Sequence, residues 1–423
     1  MRLTPALLDE LVAAISVVCE LRQPADKRLS AFFRSRPKLG QRERGLIAET
    51  VYAALRRRRL LEHIGAGRSA RTLALAALVR LRGTSVRELA GIIAESEARW
   101  LSELKGSSRE EIPFAVACDL PDWVIDRLRP VMPDAELLAL AQALQQQAPL
   151  DLRVNILRAD RDSVLRGLAA DGIAGTPTPY SPIGVRVSGR PAINRHPLFL
   201  AGAIEVQDEA SQLVCQLVAP RRGEMVADFC AGAGGKSLAL GAAMRSTGRV
   251  YAFDVSPKRL AELKPRLARS GLSNVHPQRI DSEADPKLKR LAAKFDRVLV
   301  DAPCSGLGTL RRNPDLKWRQ TDADIAELTR KQTSILAAAA KLVKPGGRLV
   351  YATCSILPEE NDGIVSEYLA GHPAFRLRPA TAELSKSGIE VPRRGAQDDP
   401  LLRLFPHVQG TDGFFAALLE RIE

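Results

Sequence analysis

The chain has 423 residues, enough for two or three domains and an ample core. With 45% hydrophobic and 26% charged residues its composition is ordinary for a soluble protein, and no uninterrupted apolar run is long enough to span a bilayer. Charge is the unusual quantity: 62 Lys and Arg against 49 Asp and Glu leave a formal +13, which points either to polyanionic partners, nucleic acid first and anionic membrane second, or to a basic but uncommitted surface.

The opening residues, MRLTPALLDELVAAI, contain Asp9 and Glu10 and lead into an amphipathic pattern, unlike a signal peptide. Six cysteines without a secretion signal do not make a disulfide framework, and the absence of a CxxC pair or Cys/His cluster argues against structural zinc. The expectation is a cytosolic monomer, with free thiols, no metal and no membrane partner.

Residues 1–120 read as almost wholly helical, with apolar residues at helical spacing in Leu7, Leu8, Leu11, Val12, Ile15 and again in Leu46, Ile47, Val51, Leu55. Basic residues recur there at Arg34, Arg36, Lys38, Arg42 and Arg44, then in the run Arg56–Arg59. Four consecutive arginines cannot all face a core; they make either a solvated helix face or a contact for RNA phosphates. After an acidic and polar patch around Glu110, Pro121-Asp122-Trp123 open a second unit, 121–200. Its helical patterns (Asp122–Arg129, Asp134–Gln147), strand-like Asp151–Leu157, helix Arg161–Ala170 and strand Gly184–Val187 predict a small α+β module ending near Pro197.

Residues 201–423 alternate as in an α/β domain. The predicted strands are Met225–Phe229, Arg249–Val255, Val275–Ile280, Arg297–Val300 and Arg348–Ala352. Between them fall helices at Lys236–Met244, Pro257–Ser270, Pro286–Lys294 and Asp322–Leu342. Lys344–Gly347 reads as a turn, Pro379–Gln409 as a surface excursion, and Gly413–Glu420 as either an edge strand or a short helix. The predicted fold is a doubly wound, Rossmann-like sheet.

The first strand, turn and helix of that domain are VADFCAGAGGKSLAL. Glycines 232, 234 and 235 permit a tight turn that brings a ligand to a helix N-terminus. The phosphate-binding P-loop is excluded, because its required first glycine is Cys230 here, and a dinucleotide loop fits poorly because its last glycine is Ser237. The next strand carries Asp254 near its end, suited to ribose hydroxyls, and the third ends in Asp281, suited either to an adenine or to capping a helix. A nucleoside cofactor without a pyrophosphate loop points to S-adenosylmethionine.

Two further strands break into VLVDAPCSGLG and LVYATCSILPEEN. If these strands are neighbours in one parallel sheet, Cys304, Cys354 and Asp301 face one crevice at its carboxyl edge. Such a set suits methylation of pyrimidine C5. A thiolate adds at C6 to make C5 nucleophilic, and a group near N3 stabilises the charge that develops. Arg311, Arg312, Lys317 and Arg319 flank this loop and are candidates for RNA phosphate contact. Glu359, Glu360 and Asn361 read as caps of the following helix. Cys19, Cys118 and Cys215 read as small core residues.

The segments DAPCSGLGTLRRNPDLKW, YATCSILPEEN, DFCAGAGGKS and VQDEAS together resemble the Sun/Nop family of RNA cytosine-C5 methyltransferases, most strongly over Leu150–Glu423. LSAFFRSRPKLGQRERGLIAETVYAALR looks, more loosely, like the NusB-like RNA-binding domain fused to bacterial 16S rRNA members. The resemblance implies Cys354 as nucleophile on C6, Cys304 as base or elimination aid in release, and Asp301 as the group that orients the cytosine beside the methyl donor. It also implies that Cys230, Ala231, Gly232, Ala233, Gly234, Gly235 and Lys236 line the S-adenosylmethionine site, with Asp254 on the ribose and Asp281 near the adenine. The family commonly has Pro where Ala233 stands, a change that removes no hydrogen-bond donor. Chemistry alone leaves open which thiol attacks, since DNA cytosine methyltransferases use a Pro-Cys like Pro303-Cys304. A tRNA target, an RNA-binding assembly factor and a small-molecule methyltransferase are the competing readings.

Overall fold

The computed structural model describes residues 3–106, 112–394 and 399–422; the acidic patch around Glu110 lies outside them. The chain divides into two compact units, one of residues 1–147 with 309–321 and one of residues 148–308 with 322–423.

The first unit is helical. Thr4 caps the helix Pro5–Cys19 by accepting the Leu7 N–H at 3.2 Å, and the longest helix of the unit, Gln41–Arg56, packs on it. The core contains Leu8, Leu11, Ile15, Ile47, Val51 and Leu55, the stripe that helical spacing predicts. The arginine run does not form a solvated face. The helix breaks at Arg57, whose guanidinium binds Asp119 at 3.1 Å and Gln145 at 2.7 Å. Arg58 pairs with Glu62, Arg59 donates to the Leu120 carbonyl and Asp122, and Arg56 donates to the Arg311 carbonyl. These arginines fasten the unit internally, because their acceptors lie up to 255 residues away along the chain.

Residues 309–321 follow the DAPCSGLG loop yet belong to this helical unit. Trp318 donates its indole N–H to the Leu55 carbonyl at 2.8 Å, and Asp315 accepts the Ala25 N–H at 3.2 Å. Lys317 is buried and donates to the carbonyls of Arg56 (2.9 Å) and Asp119. Burial, opposed by Asp119, lowers its pKa to about 8. Arg311 is buried as well, so neither it nor Lys317 offers charge to a phosphate.

The second unit holds two sheets. The smaller has the order β2-β3-β1-β4, built from β1 (Leu150–Val154), β2 (Gly175–Pro177), β3 (Gly184–Val187) and β4 (Ile204–Val206). Its last strand lies beyond Pro197. The larger sheet runs β10-β12-β9-β8-β5-β6-β7, with β11 (Leu402–Leu404) pairing on β12. Its parallel strands are β5 (Met225–Asp228), β6 (Arg249–Asp254), β7 (Val275–Arg279), β8 (Phe295–Asp301) and β9 (Val343–Thr353). All five fall where the apolar runs predict them, and the chain reverses its winding between β5 and β8, where open α/β sheets hold ligands.

Four details differ from the sequence reading. Gly413–Glu420 is neither a helix nor an edge strand: β12 (Phe414–Arg421) runs antiparallel between β9 and β10 (Phe375–Arg378) and is buried over most of its length. Lys344–Gly347 lies inside β9 as an irregularity opposite Phe295–Arg297, not as a turn before it. The helix expected over Pro286–Lys294 stops at Lys289, and Ala293, with φ +52°, turns the chain into β8. Pro379–Gln409 is packed and not merely superficial, because Ala380, Leu384, Ile389, Leu402 and Leu404 enter the core; its residues 395–398 lie outside those described. Among the described residues no helix is long and apolar enough to cross a membrane.

Candidate active site

β8 and β9 are adjacent and parallel, with Asp301 opposite Ala352, so both chains leave the sheet at the same edge. Cys304 follows β8 and Cys354 follows β9, and their Sγ atoms stand 3.4 Å apart. Both thiols are half-buried and, with Asp301, line a cavity of about 430 Å³. The two loops are held at backbone level: the Gly308 N–H donates to the Cys354 carbonyl (2.9 Å), and the Gly413 N–H donates to the Gly308 carbonyl (2.8 Å). A Cβ on Gly308 would lie 2.1 Å from the Gly413 oxygen and 2.8 Å from the Cys354 oxygen, so only glycine fits this stack. The loop before β12 thereby becomes a third layer of the site.

Lys236 extends from the helix Gly235–Ala243 to place Nζ 2.6 Å from Asp301 Oδ2 and 5.3 Å from the Phe414 ring centroid. Burial opposes the charge on Lys236, yet Asp301 and then Cys215 outweigh it and raise its pKa. The ammonium is therefore a fixed cation at physiological pH. It holds Asp301 at the mouth of the thiol pair.

The other wall of the cavity comes from the ends of β5 and β6. Cys230 and Asp254 line it; burial, with the nearby carboxylates, pushes the Cys230 thiol well up, so it stays neutral. Asp254 accepts the N–H groups of Gly232 and Ser256, both at 2.7 Å. These bonds aim the carboxylate and leave further lone pairs on each oxygen. Gly234, at φ +79°, has Leu263 Cδ1 2.0 Å from where a Cβ would be, so the turn holds only glycine there. Two arginines from outside the loop hold its carbonyls: Arg266 donates to Ala233 and buried Arg153 of β1 to Gly235, at 2.7 and 2.6 Å. Behind the loop, burial raises the pKa of Asp228 to about 7, against a 2.6 Å hydrogen bond from Ser237.

Asp281 stands apart from this assembly. Its side chain is 78% exposed and pairs with Arg279, while Ile280 and Glu283 line the cavity. Asp285, not Asp281, caps the short helix Pro286–Lys289. Of the expected loop residues, Cys230 faces the cavity and Lys236 faces Asp301. Three contributors had no signature in the sequence. Arg153 sits in an apolar strand pattern, Glu360 reads as a cap, and the Gly308–Gly413 contact joins loops 105 positions apart; only the glycine-rich composition of QGTDG marked the last.

The cavity fits a nucleoside ligand: Cys230 at the start of a glycine-rich turn, a buried carboxylate at the second strand end and the apolar side chains of Phe229, Ile280 and Ile335 lie at the winding reversal of a parallel sheet. This fold and site define a Rossmann-like, S-adenosylmethionine-dependent methyltransferase. The model of the 16S rRNA methyltransferase RsmB/F family matches residues 215–420, and that of the RsmF/B-like ferredoxin-like domain matches 120–194. The probable ribosomal RNA small subunit methyltransferase B of Synechocystis sp. is 36% identical over 74% of this chain and 69% of its own. The crystal structure of PH0851 superposes over all of both chains with a TM-score of 0.79 and 26% identity. A methyltransferase homologue from Pyrococcus horikoshii gives 0.62 and 30%, over 73% of this chain and 98% of its own. Alignments with curated relatives span about two thirds of their length, between 64% and 69% for two of them. The chain belongs to the RsmB/F family.

Proposed function

We propose that this protein methylates C5 of a cytosine in 16S rRNA through a covalent bond between Cys354 and C6. The observation that carries the reading is the pair of thiols 3.4 Å apart beside a Lys236–Asp301 ion pair, in the cavity that also contains Asp254 and Cys230. S-adenosylmethionine supplies an electrophilic methyl group; the Cys230–Lys236 turn and Asp254 are the residues that would hold it, with Glu283, from its position in the cavity wall, nearer the adenine than the exposed Asp281.

Addition of the Cys354 thiolate to C6 turns an electron-poor aromatic ring into an enamine whose C5 is nucleophilic. Asp301, steadied by Lys236, shares a proton with N3, and that proton neutralises the negative charge that gathers there as the thiolate adds. Once C5 carries the new methyl group, water in the cavity takes the C5 proton, the C5–H pair forms the C5–C6 double bond and the Cys354–C6 pair returns to sulfur, restoring aromaticity. Cys304 serves that second stage. Its hydrogen bond with Cys354, then burial, push its thiol well above the usual range, so it is a neutral donor beside the departing sulfur. The target base must be unpaired or flipped to reach the pair. We read residues 1–120 as a NusB-like RNA-binding domain, 121–200 as an α+β module that helps hold RNA, and 201–423 as the catalytic domain. The ferredoxin-like match at 120–194 supports the middle module, and the formal +13 charge supports an RNA partner.

The test is denaturing gel analysis of Cys304→Ala and Cys354→Ala proteins incubated with 16S rRNA and S-adenosylmethionine. A stable protein–RNA adduct with Cys304→Ala and none with Cys354→Ala is expected. The reverse pattern would make Cys304 the nucleophile. No adduct from either, with no methyl transfer by the unaltered protein to 16S rRNA or tRNA, would leave an RNA-binding factor.

A further inference from the structure

Glu360 is fully buried at the back of the thiol pair. Its Oε1 accepts the Ser305 N–H at 2.8 Å and the Gln332 amide at 3.0 Å. Its Oε2 accepts the Ser305 hydroxyl at 2.5 Å and also the Ser355 hydroxyl. Ser305 follows Cys304 and Ser355 follows Cys354, so one carboxylate grips the residue next to each thiol. The grip is reinforced: Gln332 also donates to the Pro303 carbonyl at 2.9 Å, and Tyr351 donates its hydroxyl to the Glu360 carbonyl at 2.7 Å. Helix capping does not explain this residue. The helix Asp362–Gly371 has no side-chain cap bond, and the Glu360 carboxylate points at the two loops. A buried carboxylate costs several kcal/mol unless its lone pairs are met, and here four donors meet them.

We propose that Glu360 is a positioning residue of the methyl transfer: its carboxylate fixes the separation of the two cysteine loops and sets a negative charge behind Cys304, so that Cys354 is the thiol that attacks. This rests on the thiol roles proposed above. The charged and titratable groups around Cys304 are Cys354 beside it, Glu360 and Tyr351 behind it, and Asp301 with Lys236 at the end of β8. The Cys354 hydrogen bond and then burial raise the Cys304 thiol most, and the Glu360 charge adds to them. After Cys354 has added to C6 and C5 has lost its proton, the Cys354–C6 electron pair returns to sulfur. Water in the cavity takes the C5 proton, the C5–H electron pair forms the C5–C6 double bond, and the released Cys354 thiolate is stabilised by a hydrogen bond from the Cys304 S–H, which keeps its proton.

Two variants separate the clamp from its charge. Glu360→Gln keeps the shape: its oxygen still accepts from Ser305 and Gln332, and its two amide hydrogens reach the serine hydroxyls, which turn to accept. Glu360→Ala removes the clamp. Alkylation of each cysteine by iodoacetamide, followed against pH by peptide mass spectrometry, needs no RNA. In Glu360→Gln the Cys304 midpoint is expected to fall by about one pH unit, the size of effect a neighbouring like charge produces, with Cys354 reacting first in both proteins. In Glu360→Ala kcat is expected to drop at least about tenfold with KM for S-adenosylmethionine within about twofold, and Glu360→Gln to restore most of it. Superimposable Cys304 profiles for the unaltered protein and Glu360→Gln, or unchanged kcat in Glu360→Ala, would overturn the inference. Failure of the unaltered protein to methylate RNA would instead overturn the functional reading, and the alkylation profiles would still judge Glu360.

Discussion

The Lys236–Asp301 pair makes a quantitative prediction that needs no substrate. Nζ and Oδ2 are 2.6 Å apart, with the lysine side chain 11% and the aspartate 28% exposed. Lys236→Met leaves the Asp301 carboxylate against a largely apolar wall, and Asp301→Asn leaves an ammonium with only a neutral amide to face. Breaking a buried pair from one side costs about 3–5 kcal/mol, and water entering the cavity beside Asp301 reduces this to about 2–3 kcal/mol for either single change. The double variant loses the pair but strands neither charge. Its destabilisation is therefore expected to be no greater than that of the worse single variant, giving a coupling of about 2 kcal/mol, the worth of a charge-assisted hydrogen bond. Urea unfolding of the four proteins at pH 7.5 measures the cycle, with the slope checked for constancy. Additivity within about 0.5 kcal/mol would falsify the claim that Lys236 holds Asp301. In the proposed reaction the same single changes cost about a hundredfold or more in methyl transfer, as loss of one preorganised partner at a developing charge does.

Two groups with displaced pKa values predict opposite pH dependences. Lys317 titrates near 8 when folded and near 10.5 when unfolded, so between those values the unfolded chain binds the extra proton and stability rises with pH, by up to about 3 kcal/mol. Thermal unfolding across pH 8–10.5 is expected to show this rise, and Lys317→Met to flatten it. Asp228, raised to about 7, behaves in reverse: between about pH 4 and 7 the folded state holds the extra proton, so stability falls as pH increases. Asp228→Asn is accordingly expected to stabilise the protein by about 3–4 kcal/mol at pH 8, and to make little difference near pH 4. Denaturant unfolding at both pH values checks it, and equal effects at the two would exclude a buried, proton-holding Asp228.

What was legible in the sequence and what was not divides by range. β5, β6, β7, β8 and β9 are apolar runs ended by turn residues, a local signal, and their positions follow from it. β12 was ambiguous because Phe414–Leu419 is buried throughout; a segment covered on both faces has no period of two to announce it. The arginine run departs from a solvated face for a different reason. Charge is visible in sequence, but whether it meets solvent depends on acceptors such as Asp119 and the Arg311 carbonyl, which are remote along the chain. Glu360 repeats the lesson inside the site, since its partners Ser305 and Gln332 are 55 and 28 positions away.

The two cysteines were readable because each ends a strand, but the strand ends alone do not bring sulfur to sulfur. Asp301 pairs with Ala352, so Cys304 lies three residues beyond its register position and Cys354 two. Left extended, those unequal overhangs would offset the thiols by about 3.3 Å along the strand direction. The offset is absorbed off the sheet, by turns that break both chains immediately after their strands. Gly308 fixes one turn against the Cys354 carbonyl, and Glu360 ties Ser305 to Ser355 from behind. Pairing therefore brings the cysteines to one edge, whereas a buried glutamate and a side-chain-free contact bring them into touch. The strand-end pattern indicates that thiol chemistry is present; the division of labour between the thiols depends on contacts made far apart in sequence.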